Sequence, residues 1–322
     1  MEKTIFIIFM ALISFLAVYI MMPGYINFLK RLGFNQEVSK YSLKEFQAKA
    51  KTPIMGGLLF ILIPTIILLI GLPFIHFSLS EVIVLIAFVG YGAIGFTDDF
   101  LIIKRQKNDG LKPRYKLIAQ LFLAVIIILI INVHLNTKVH LPFININLDL
   151  GFLYYLLVII MFAGETNAVN FTDGMDGLCA GTVSIVLFFY GIMAYLAGEY
   201  GILAIITTVI ASLLAYLKYN FFPAKIFMGD SGSLALGALL VGLSIVLKKE
   251  LALILLGGTF LIEIMSVIIQ ITAVKLFKRR VFLYTPIHYS FVKKGMSEKN
   301  TVLRFYVLTF ILALIGFFVG LN

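Results

Sequence analysis

The feature that most constrains the fold of this chain is a series of about ten apolar segments separated by short polar stretches. A helix needs about 20 largely apolar residues to cross the hydrocarbon core of a membrane, and several segments approach that length. The chain is 61% hydrophobic and 13% charged, whereas soluble domains are about half apolar and about a quarter charged. We therefore predict an all-α, polytopic membrane protein with one domain over residues 1–322. The predicted spans are Ile5–Met22, Ile54–Leu72, Val82–Phe96, Leu117–Val133, Phe152–Gly164, Leu178–Leu196, Ile202–Leu217, Ser233–Leu247, Leu251–Val274 and Val302–Leu321.

The first apolar segment, Ile5–Met22, is longer than the apolar region of a signal peptide. Pro23 and Gly24 follow it, and this junction does not resemble a small-residue cleavage site. We therefore expect the segment to be retained as the first span.

The distribution of Lys and Arg predicts the orientation in the membrane. The loops after the first, third, fifth, seventh and ninth spans contain 21 of the 26 basic residues, and the four other loops contain three. Because basic loops tend to stay in the cytoplasm, we expect these five loops on the cytoplasmic side and both termini outside. The same asymmetry accounts for the net charge of +10 without a nucleic-acid partner.

The aspartates show a second asymmetry. Of the seven, only Asp149 lies on the predicted outer side. Acidic residues contribute little to membrane topology, so orientation does not explain why the others face the cytoplasm. The six on the predicted cytoplasmic side are Asp98, Asp99, Asp109, Asp173, Asp176 and Asp230.

Asp98 and Asp99 are adjacent at the predicted end of the third span, Val82–Phe96. Two neighbouring carboxylates repel each other and lose solvation at such a position unless a cation or a hydrogen-bond donor compensates. The negative end of the helix dipole would add to this penalty. The pair therefore indicates a cation-handling site, and a solvated helix end is the alternative.

The segment Asn167–Leu178 has a polar residue at every third position from Asn167 to Asp176. Gly174 and Gly177 allow a ligand to approach the backbone closely. We expect a loop that offers amide, carboxylate and backbone groups on one side, which suits the hydroxyls and base edge of a nucleoside. A turn with Asn and Asp caps is the alternative.

Asp230 opens the eighth span within a segment rich in Gly and Ser. Aspartate is a favourable helix N-cap, and a helix N-terminus also binds phosphate readily. The two roles are compatible, so this segment is a candidate phosphate site.

Magnesium usually takes one or two protein carboxylates and completes its shell with substrate phosphates and waters. We expect five aspartates to converge into one divalent-cation pocket: Asp98, Asp99, Asp173, Asp176 and Asp230. The basic residues near them in the predicted topology are Lys51, Lys107, Lys116 and Lys225. Zinc is not favoured, since Cys179 is the only cysteine and His288 the only histidine on the predicted cytoplasmic side.

Five motifs follow one another in an order typical of one enzyme family. They are Lys51-Thr-Pro-Ile-Met-Gly-Gly57, Phe96-Thr-Asp-Asp-Phe100, Asn167-Ala-Val-Asn-Phe-Thr-Asp-Gly-Met-Asp-Gly-Leu178, Pro223-Ala-Lys-Ile-Phe-Met-Gly-Asp-Ser-Gly-Ser-Leu-Ala-Leu-Gly237 and Thr285-Pro-Ile-His288. On these residues the chain resembles the bacterial polyprenyl-phosphate sugar-1-phosphate transferases, and most of all their phospho-N-acetylmuramoyl-pentapeptide transferase branch. The resemblance spans nearly the whole chain, including ten spans with both termini outside.

This resemblance implies an activity, a cofactor and partners. The implied reaction transfers phospho-MurNAc-pentapeptide from its UDP conjugate to undecaprenyl phosphate, which releases UMP and forms the first lipid intermediate of peptidoglycan. The resemblance also implies Mg²⁺ dependence, a homodimer, and a multi-pass position in the bacterial plasma membrane with the active site on the cytoplasmic face.

The resemblance also assigns expected roles to individual residues. Asp230 is the expected magnesium ligand, with Asp98 and Asp99 beside it at the reaction centre. The expected uridine pocket consists of Lys51, Gly174, Met175, Asp176 and Phe227. Other residues expected to line the site are Asn170, Asp173 and His288.

The charges of the reactants indicate roles for Asp98 and for two lysines. A phosphate monoester has its second pKa at about 6 and is mostly dianionic at pH 7. A general base would gain little, so we expect Asp98 to position a group or to act with the metal. Lys107 or Lys116 is expected to offset the charge of the incoming lipid phosphate.

One motif departs from the family pattern. The muramoyl branch normally has three consecutive histidines after Thr-Pro-Ile, whereas this chain has His288, Tyr289 and Ser290. Tyr289 supplies no cation, and Ser290 is a weak donor. The change leaves open altered recognition of the sugar and peptide, weak activity, or tolerated divergence.

Two carboxylates stand out inside or beside predicted spans. Glu165 adds negative charge just before the Asn-rich motif, and Glu263 lies within the ninth span. Carboxylates inside a membrane usually have a function or face the bundle interior, but the sequence does not identify a partner for Glu263.

Two other functions remain open at this point. A transferase for UDP-hexosamines such as UDP-GlcNAc is the nearer one, although Ala168-Val169 and Phe171-Thr172 favour the muramoyl branch. A secondary transporter is the more distant one, because coupling residues of transporters lie near the midplane and often within repeats. Here only Glu263 is clearly inside a span.

Overall fold

The computed structural model of the chain describes residues 2–34, 49, 52–75, 77–105, 110–142, 144 and 146–321. The elements, in chain order, are α1 (Glu2–Arg31), α2 (Gly57–Gly71, followed by a 3-10 turn over Leu72–Phe74), α3 (Leu79–Arg105), α4 (Pro113–His134), β1 (Lys138–Leu141), β2 (Ile146–Asp149), α5 (Phe152–Thr172), α6 (Leu178–Leu196), α7 (Tyr200–Asn220), α8 (Gly229–Val246), α9 (Leu253–Leu256), α10 (Gly258–Phe277), α11 (Ile287–Lys293) and α12 (Glu298–Leu321). Over this part of the chain, ten helices are long and apolar enough to span a membrane. The predicted all-α, ten-span architecture is therefore confirmed.

Helix α8 lies at the centre of the bundle and packs mainly against α3 and α5. Small residues allow helices in a membrane to approach closely. A Cβ atom on Gly95 of α3 would collide with the backbone of Asp230 and Ser231. Glycine at this position therefore brings α3 directly against the first turn of α8.

The helices at the perimeter expose large apolar side chains. Examples are Ile8 on α1, Phe122 on α4 and Phe310 on α12. Hydrocarbon, rather than water, is the surrounding in which such a belt is stable. This surface agrees with a multi-pass membrane protein.

Two helices extend further than predicted. Helix α3 does not end near Phe96 but continues to Arg105, and α5 does not end at Gly164 but continues to Thr172. The expectation that the helix ends at Asp98 and Asp99 was therefore wrong, since they lie before its last turn. The expected loop from Asn167 onward was wrong for residues 167–172, which are helical, whereas residues 173–177 do form a loop. Apolar windows end where polar residues begin, whereas the backbone hydrogen bonds of a helix continue wherever its polar side chains find partners.

A β-hairpin joins α4 to α5 at the end of the bundle opposite the aspartate motifs. Strands β1 and β2 pair in antiparallel register, with Lys138 opposite Asp149. The sequence did not predict this hairpin, because strands of four residues carry little periodic signal.

Candidate active site

The helix ends that carry the aspartate motifs meet at one end of the bundle. Consecutive spans run in opposite directions, so the last turns of α3, α5 and α7 lie beside the first turns of α4, α6 and α8. The three motifs that contain Asp98, Asn170 and Asp230 are attached to these ends. This arrangement creates two adjoining clusters of charged side chains.

Asp99 fixes the start of α8 from the neighbouring helix α3. Its two carboxylate oxygens accept hydrogen bonds from the backbone N–H groups of Asp230 and Ser231, both at 3.0 Å. The first N–H groups of a helix have no partner within that helix, and a carboxylate there also benefits from the helix dipole. The side chain is only 3% exposed. Asp99 therefore acts as a cap supplied by another helix, and it positions Asp230.

The first cluster surrounds the Asp230 carboxylate. Lys116, on the first turn of α4, forms an ion pair with Asp230. The side-chain amide of Asn170 on α5 donates to Asp230 Oδ1 at 2.7 Å and to Ser233 Oγ at 2.8 Å. The Asp230 side chain remains 25% exposed. The carboxylate is thus held in place by a cation and an amide while one side stays accessible.

Asp98 completes this first cluster. Its carboxylate interacts with the Asp230 carboxylate and with the Lys116 ammonium group. Its Oδ1 atom also accepts a hydrogen bond from the Leu111 backbone N–H at 2.7 Å. We refer to Asp98, Lys116, Asn170 and Asp230 together as the Asp230 cluster.

The second cluster consists of Lys49, Asp176 and Glu298, and we call it the Asp176 cluster. Lys49 pairs with both carboxylates, and its Nζ lies 2.6 Å from Glu298 Oε1. Glu298 also accepts the Asp176 backbone N–H at 2.8 Å, and Asp176 Oδ2 accepts the Ala224 N–H at 2.8 Å. These contacts connect four segments that are far apart in the chain.

The Asp176 cluster borders a cavity of about 630 Å³. Its walls come from the loop after α7 and from the connection between α11 and α12, including Phe222, Pro223 and Ser297. The Phe227 ring lies 5.9 Å from Lys49 Nζ. A cavity with aromatic, cationic and carboxylate groups can receive a planar base and the hydroxyls of a sugar.

Asp173 interacts with both clusters. It follows α5, and its carboxylate is repelled by the negative charges of Asp230, Asp99 and Asp176. Burial, reinforced by these charges and opposed by Lys49, raises the pKa of Asp173 well above its ordinary value. The five aspartates therefore meet at one end of the bundle, but as two adjoining clusters connected through Asp173 rather than as one pocket.

His288 and Gly174 lie behind the second cluster. His288 is fully buried, and its Nδ1 atom lies 3.1 Å from Oε2 of Glu263 on α10. A Cβ atom on Gly174 would collide with the His288 imidazole, so glycine is required by the close approach. Glu263 thus has a partner that the sequence did not reveal.

The remaining predicted residues have different outcomes. Met175 is 3% exposed and packs against Leu178, Val302 and Phe305, so its side chain belongs to a small apolar core. Lys51 and Lys107 lie outside the described residues.

Sequence reasoning missed three residues of the site. Lys49 lies two positions before the predicted Lys51, and spacing alone does not distinguish the two lysines. Glu298 has only the signal of an acidic first turn on α12, which commonly reflects the helix dipole. Ser233 lies in the Gly- and Ser-rich segment that opens the eighth predicted span, but no role at the site was predicted for it.

The donor atoms of the first cluster fit a magnesium ion. Asp98 and Asp230 supply hard carboxylate oxygens, which magnesium prefers, and Asn170 and Lys116 leave an accessible side on Asp230. Over the residues described, no three His, Cys, Asp or Glu side chains form a complete metal-binding group. This donor set suits an ion whose shell is completed by substrate phosphates and waters.

The fold and the site define a membrane-embedded protein of the glycosyl transferase type, since residues 81–248 match the family model described as glycosyl transferase family 4. A phospho-N-acetylmuramoyl-pentapeptide-transferase of Staphylococcus epidermidis is 38% identical over 97% of this chain and 98% of its own length. One from Shouchella clausii is 39% identical over 98% of this chain and 97% of its own length. The chain therefore belongs to the phospho-N-acetylmuramoyl-pentapeptide transferase family, as the motifs predicted.

Proposed function

We propose that this protein transfers phospho-MurNAc-pentapeptide from its UDP conjugate to undecaprenyl phosphate, releases UMP and forms the first lipid intermediate of peptidoglycan. The observation that carries the proposal is the position of the two clusters side by side at the ends of spanning helices. One cluster suits phosphates and the other suits a nucleoside. Their adjacency matches a substrate in which a nucleoside and a pyrophosphate are joined.

The main physical task in this reaction is to bring two anions together. The lipid phosphate attacks the phosphorus attached to the sugar, and the bond to the UMP oxygen breaks. Catalysis of such a transfer consists mostly of in-line positioning and charge neutralisation. Lys116, at the start of α4 and close to Asp98 and Asp230, is placed to neutralise the incoming lipid phosphate.

We propose a dependence on Mg²⁺, with Asp230 as the protein ligand. When bound, the ion would offset charge on the pyrophosphate and stabilise the leaving UMP. Asn170 holds the Asp230 carboxylate in orientation, and Asp99 fixes the helix turn that carries it. Asp98 accepts the Leu111 N–H, and we assign it a positioning role rather than the role of a base.

The Asp176 cluster would recognise the uridine. Asp176 and Lys49 offer acceptor and donor groups at the wall of the cavity, and Phe227 offers a ring face. Glu298 holds Lys49 and the Asp176 backbone together. In this assignment Lys49 takes the role that the motif match gave to Lys51.

We also propose that the site faces the cytoplasm, that both termini lie outside, and that the chain forms a homodimer. The excess of Lys and Arg in the loops on the side of the site supports this orientation. Residues 1–322 would act as one domain.

The test is a comparison of two donors with the purified full chain in detergent. We expect release of UMP from UDP-MurNAc-pentapeptide when both Mg²⁺ and undecaprenyl phosphate are present, and little release from UDP-GlcNAc. Omission of the lipid, or chelation of the metal, is expected to stop the reaction. If UMP is released from UDP-GlcNAc but not from UDP-MurNAc-pentapeptide, the hexosamine reaction replaces our proposal. If UMP is released from neither donor, the proposed transferase activity is overturned.

A further inference from the structure

The three residues at the place of the family's histidine motif, of which only Tyr289 and Ser290 depart from it, make three different polar contacts in this protein. His288, Tyr289 and Ser290 form the first turn of α11. Each contacts a different segment. Their contacts indicate what replaced the second and third histidines.

His288 anchors α11 to the membrane bundle. Both His288 and Glu263 are fully buried, and the two side chains meet at 3.1 Å between Nδ1 and Oε2. A charged or polar group that is buried inside a membrane protein is stable only with a partner. This contact brings α11 against α10, although the two groups do not meet in hydrogen-bond geometry.

Ser290 closes the turn that precedes α11. Its hydroxyl accepts the Tyr284 backbone N–H at 3.0 Å and donates to the Tyr284 carbonyl at 2.5 Å. The Tyr284 ring then packs edge-on against the Tyr289 ring, with 5.4 Å between centroids. Ser290 thus helps to hold the Tyr289 ring in one orientation.

Tyr289 reaches the loop between α5 and α6. Its hydroxyl donates to the Gly174 backbone carbonyl at 2.9 Å. A Cβ atom on Gly174 would come within 2.7 Å of the same hydroxyl. The Tyr289 and His288 side chains are therefore seated directly on the backbone of residue 174, between Asp173 and Asp176.

The other side of this loop is held by α12. Tyr306 donates to the Gly177 carbonyl at 2.6 Å, and Glu298 accepts the Asp176 N–H at 2.8 Å. The contact from Tyr289 is at the opposite end of the loop, nearest Asp173. It is placed to set where Asp173 and Asp176 point relative to the cavity.

We propose that Tyr289 is a positioning residue for the donor site, and that its hydroxyl bond to Gly174 keeps loop 173–177 in the conformation that binds the UDP-sugar. The inference rests on the proposed function for its effect on the donor, but not for its effect on the loop. The bond depends on the length of the tyrosine side chain, because its hydroxyl lies at the far end of the ring. Tyrosine in this chain therefore supplies a loop contact and does not by itself signal a changed reaction.

The first test measures the loop itself by hydrogen exchange of residues 173–178 in the purified full chain. Tyr289→Phe removes only the hydroxyl, and we expect these amides to exchange about three- to tenfold faster, as for the loss of one hydrogen bond. Tyr219→Phe is the matched control, because its hydroxyl also donates to a backbone carbonyl at 2.9 Å, that of Tyr19 on α1. The control is expected to leave exchange at 173–178 unchanged.

The second test measures the donor. Tyr289→Phe is expected to raise KM for UDP-MurNAc-pentapeptide about three- to tenfold and to change kcat less than about twofold, because the loop binds the donor in the ground state. Tyr219→Phe is expected to match the wild type.

The outcomes separate this proposal from the proposed function. Unchanged exchange in Tyr289→Phe, or a KM within the error of the wild type, would each overturn the positioning role. If the wild type turns over neither donor, the proposed function fails, while the exchange rates still decide whether Tyr289 holds the loop.

Discussion

The Asp230 cluster and the Asp176 cluster are both ion-paired groups at the same end of the bundle, but they are built differently. The Asp230 cluster joins helices α3, α4, α5 and α8, and α3 packs closely on α8 because Gly95 has no side chain. The Asp176 cluster joins loop and helix-start residues, with Lys49 lying 127 positions before Asp176 and 249 before Glu298. The first is a rigid arrangement of helices, whereas the second depends on side chains that hold separate segments together.

This difference suggests that the Asp230 cluster serves catalysis and the Asp176 cluster serves recognition of the substrate. Groups on rigid elements hold charge in a fixed geometry, which is what stabilisation of a transition state requires. Loop segments connected by ion pairs suit recognition of a substrate. We therefore expect changes in the Asp230 cluster to lower kcat and changes in the Asp176 cluster to raise KM for the donor.

The largest effect is expected for Asp230→Asn. The change removes the charge that pairs with Lys116 and the expected metal ligand, and kcat should fall by at least about 100-fold. Asp149→Asn, in the hairpin at the other end, is the control and should keep full activity. A loss below about tenfold in Asp230→Asn would remove the first cluster from the reaction centre.

Asp98→Asn is expected to have a smaller effect on kcat than Asp230→Asn. An amide oxygen can still accept the Leu111 N–H, so part of the positioning should survive. Turnover measured side by side in the two variants checks this order. Equal and complete loss in both, with the fold intact by thermal unfolding, would contradict the positioning role and favour a base.

Asp99→Asn should act by destabilising the start of α8, and its effect on kcat should follow from that change. The Asp99 carboxylate accepts hydrogen bonds from two backbone N–H groups, those of Asp230 and Ser231. Asparagine could accept only one of them, because its N–H₂ group would face the other N–H. Leaving one buried donor unsatisfied costs about 1–3 kcal/mol, so the unfolding temperature should fall together with kcat. An unchanged unfolding temperature would show that this cap is not needed.

Glu298→Gln should give the smallest effect. Glutamine can still accept the Asp176 N–H but loses the charge that pairs with Lys49. We expect KM for the UDP-sugar to rise about three- to tenfold, as for a weakened ion-paired hydrogen bond, while kcat stays within about twofold. Glu199→Gln, exposed at the other end of the bundle, is the control. A fall in kcat without a change in KM would contradict the assignment of donor binding to the Asp176 cluster.

The two clusters also differ in how far the sequence could predict them. Asp98 and Asp230 were predicted to meet because each sits near the boundary of an apolar span, and alternating spans must bring such boundaries to the same membrane face. Asn170 was predicted from its motif and the family resemblance, and Lys116 only as one of two candidates, the other being Lys107. The exact lengths of α3 and α5 were not, because hydropathy does not register a polar helix turn that faces the bundle interior.

The Asp176 cluster was predicted only in part. Asp176 and Phe227 came from motifs, but Lys49 and Glu298 became partners only through a tertiary contact between positions far apart in the chain. The pairing of Glu263 with His288 was likewise invisible, since it depends on how α11 is placed against α10. Long-range contacts between side chains leave no periodic signal in the sequence.

Binding of UMP, measured by calorimetry on the purified full chain, tests most directly whether the two clusters divide recognition from chemistry. Lys49→Met leaves Asp176 and Glu298 without their shared cation, and we predict that it weakens UMP binding by at least about tenfold. Asp230→Asn, although nearly inactive, should bind UMP within about threefold of the wild type. The opposite pattern, with UMP binding lost in Asp230→Asn and retained in Lys49→Met, would contradict the assignment of the nucleoside to the Asp176 cluster.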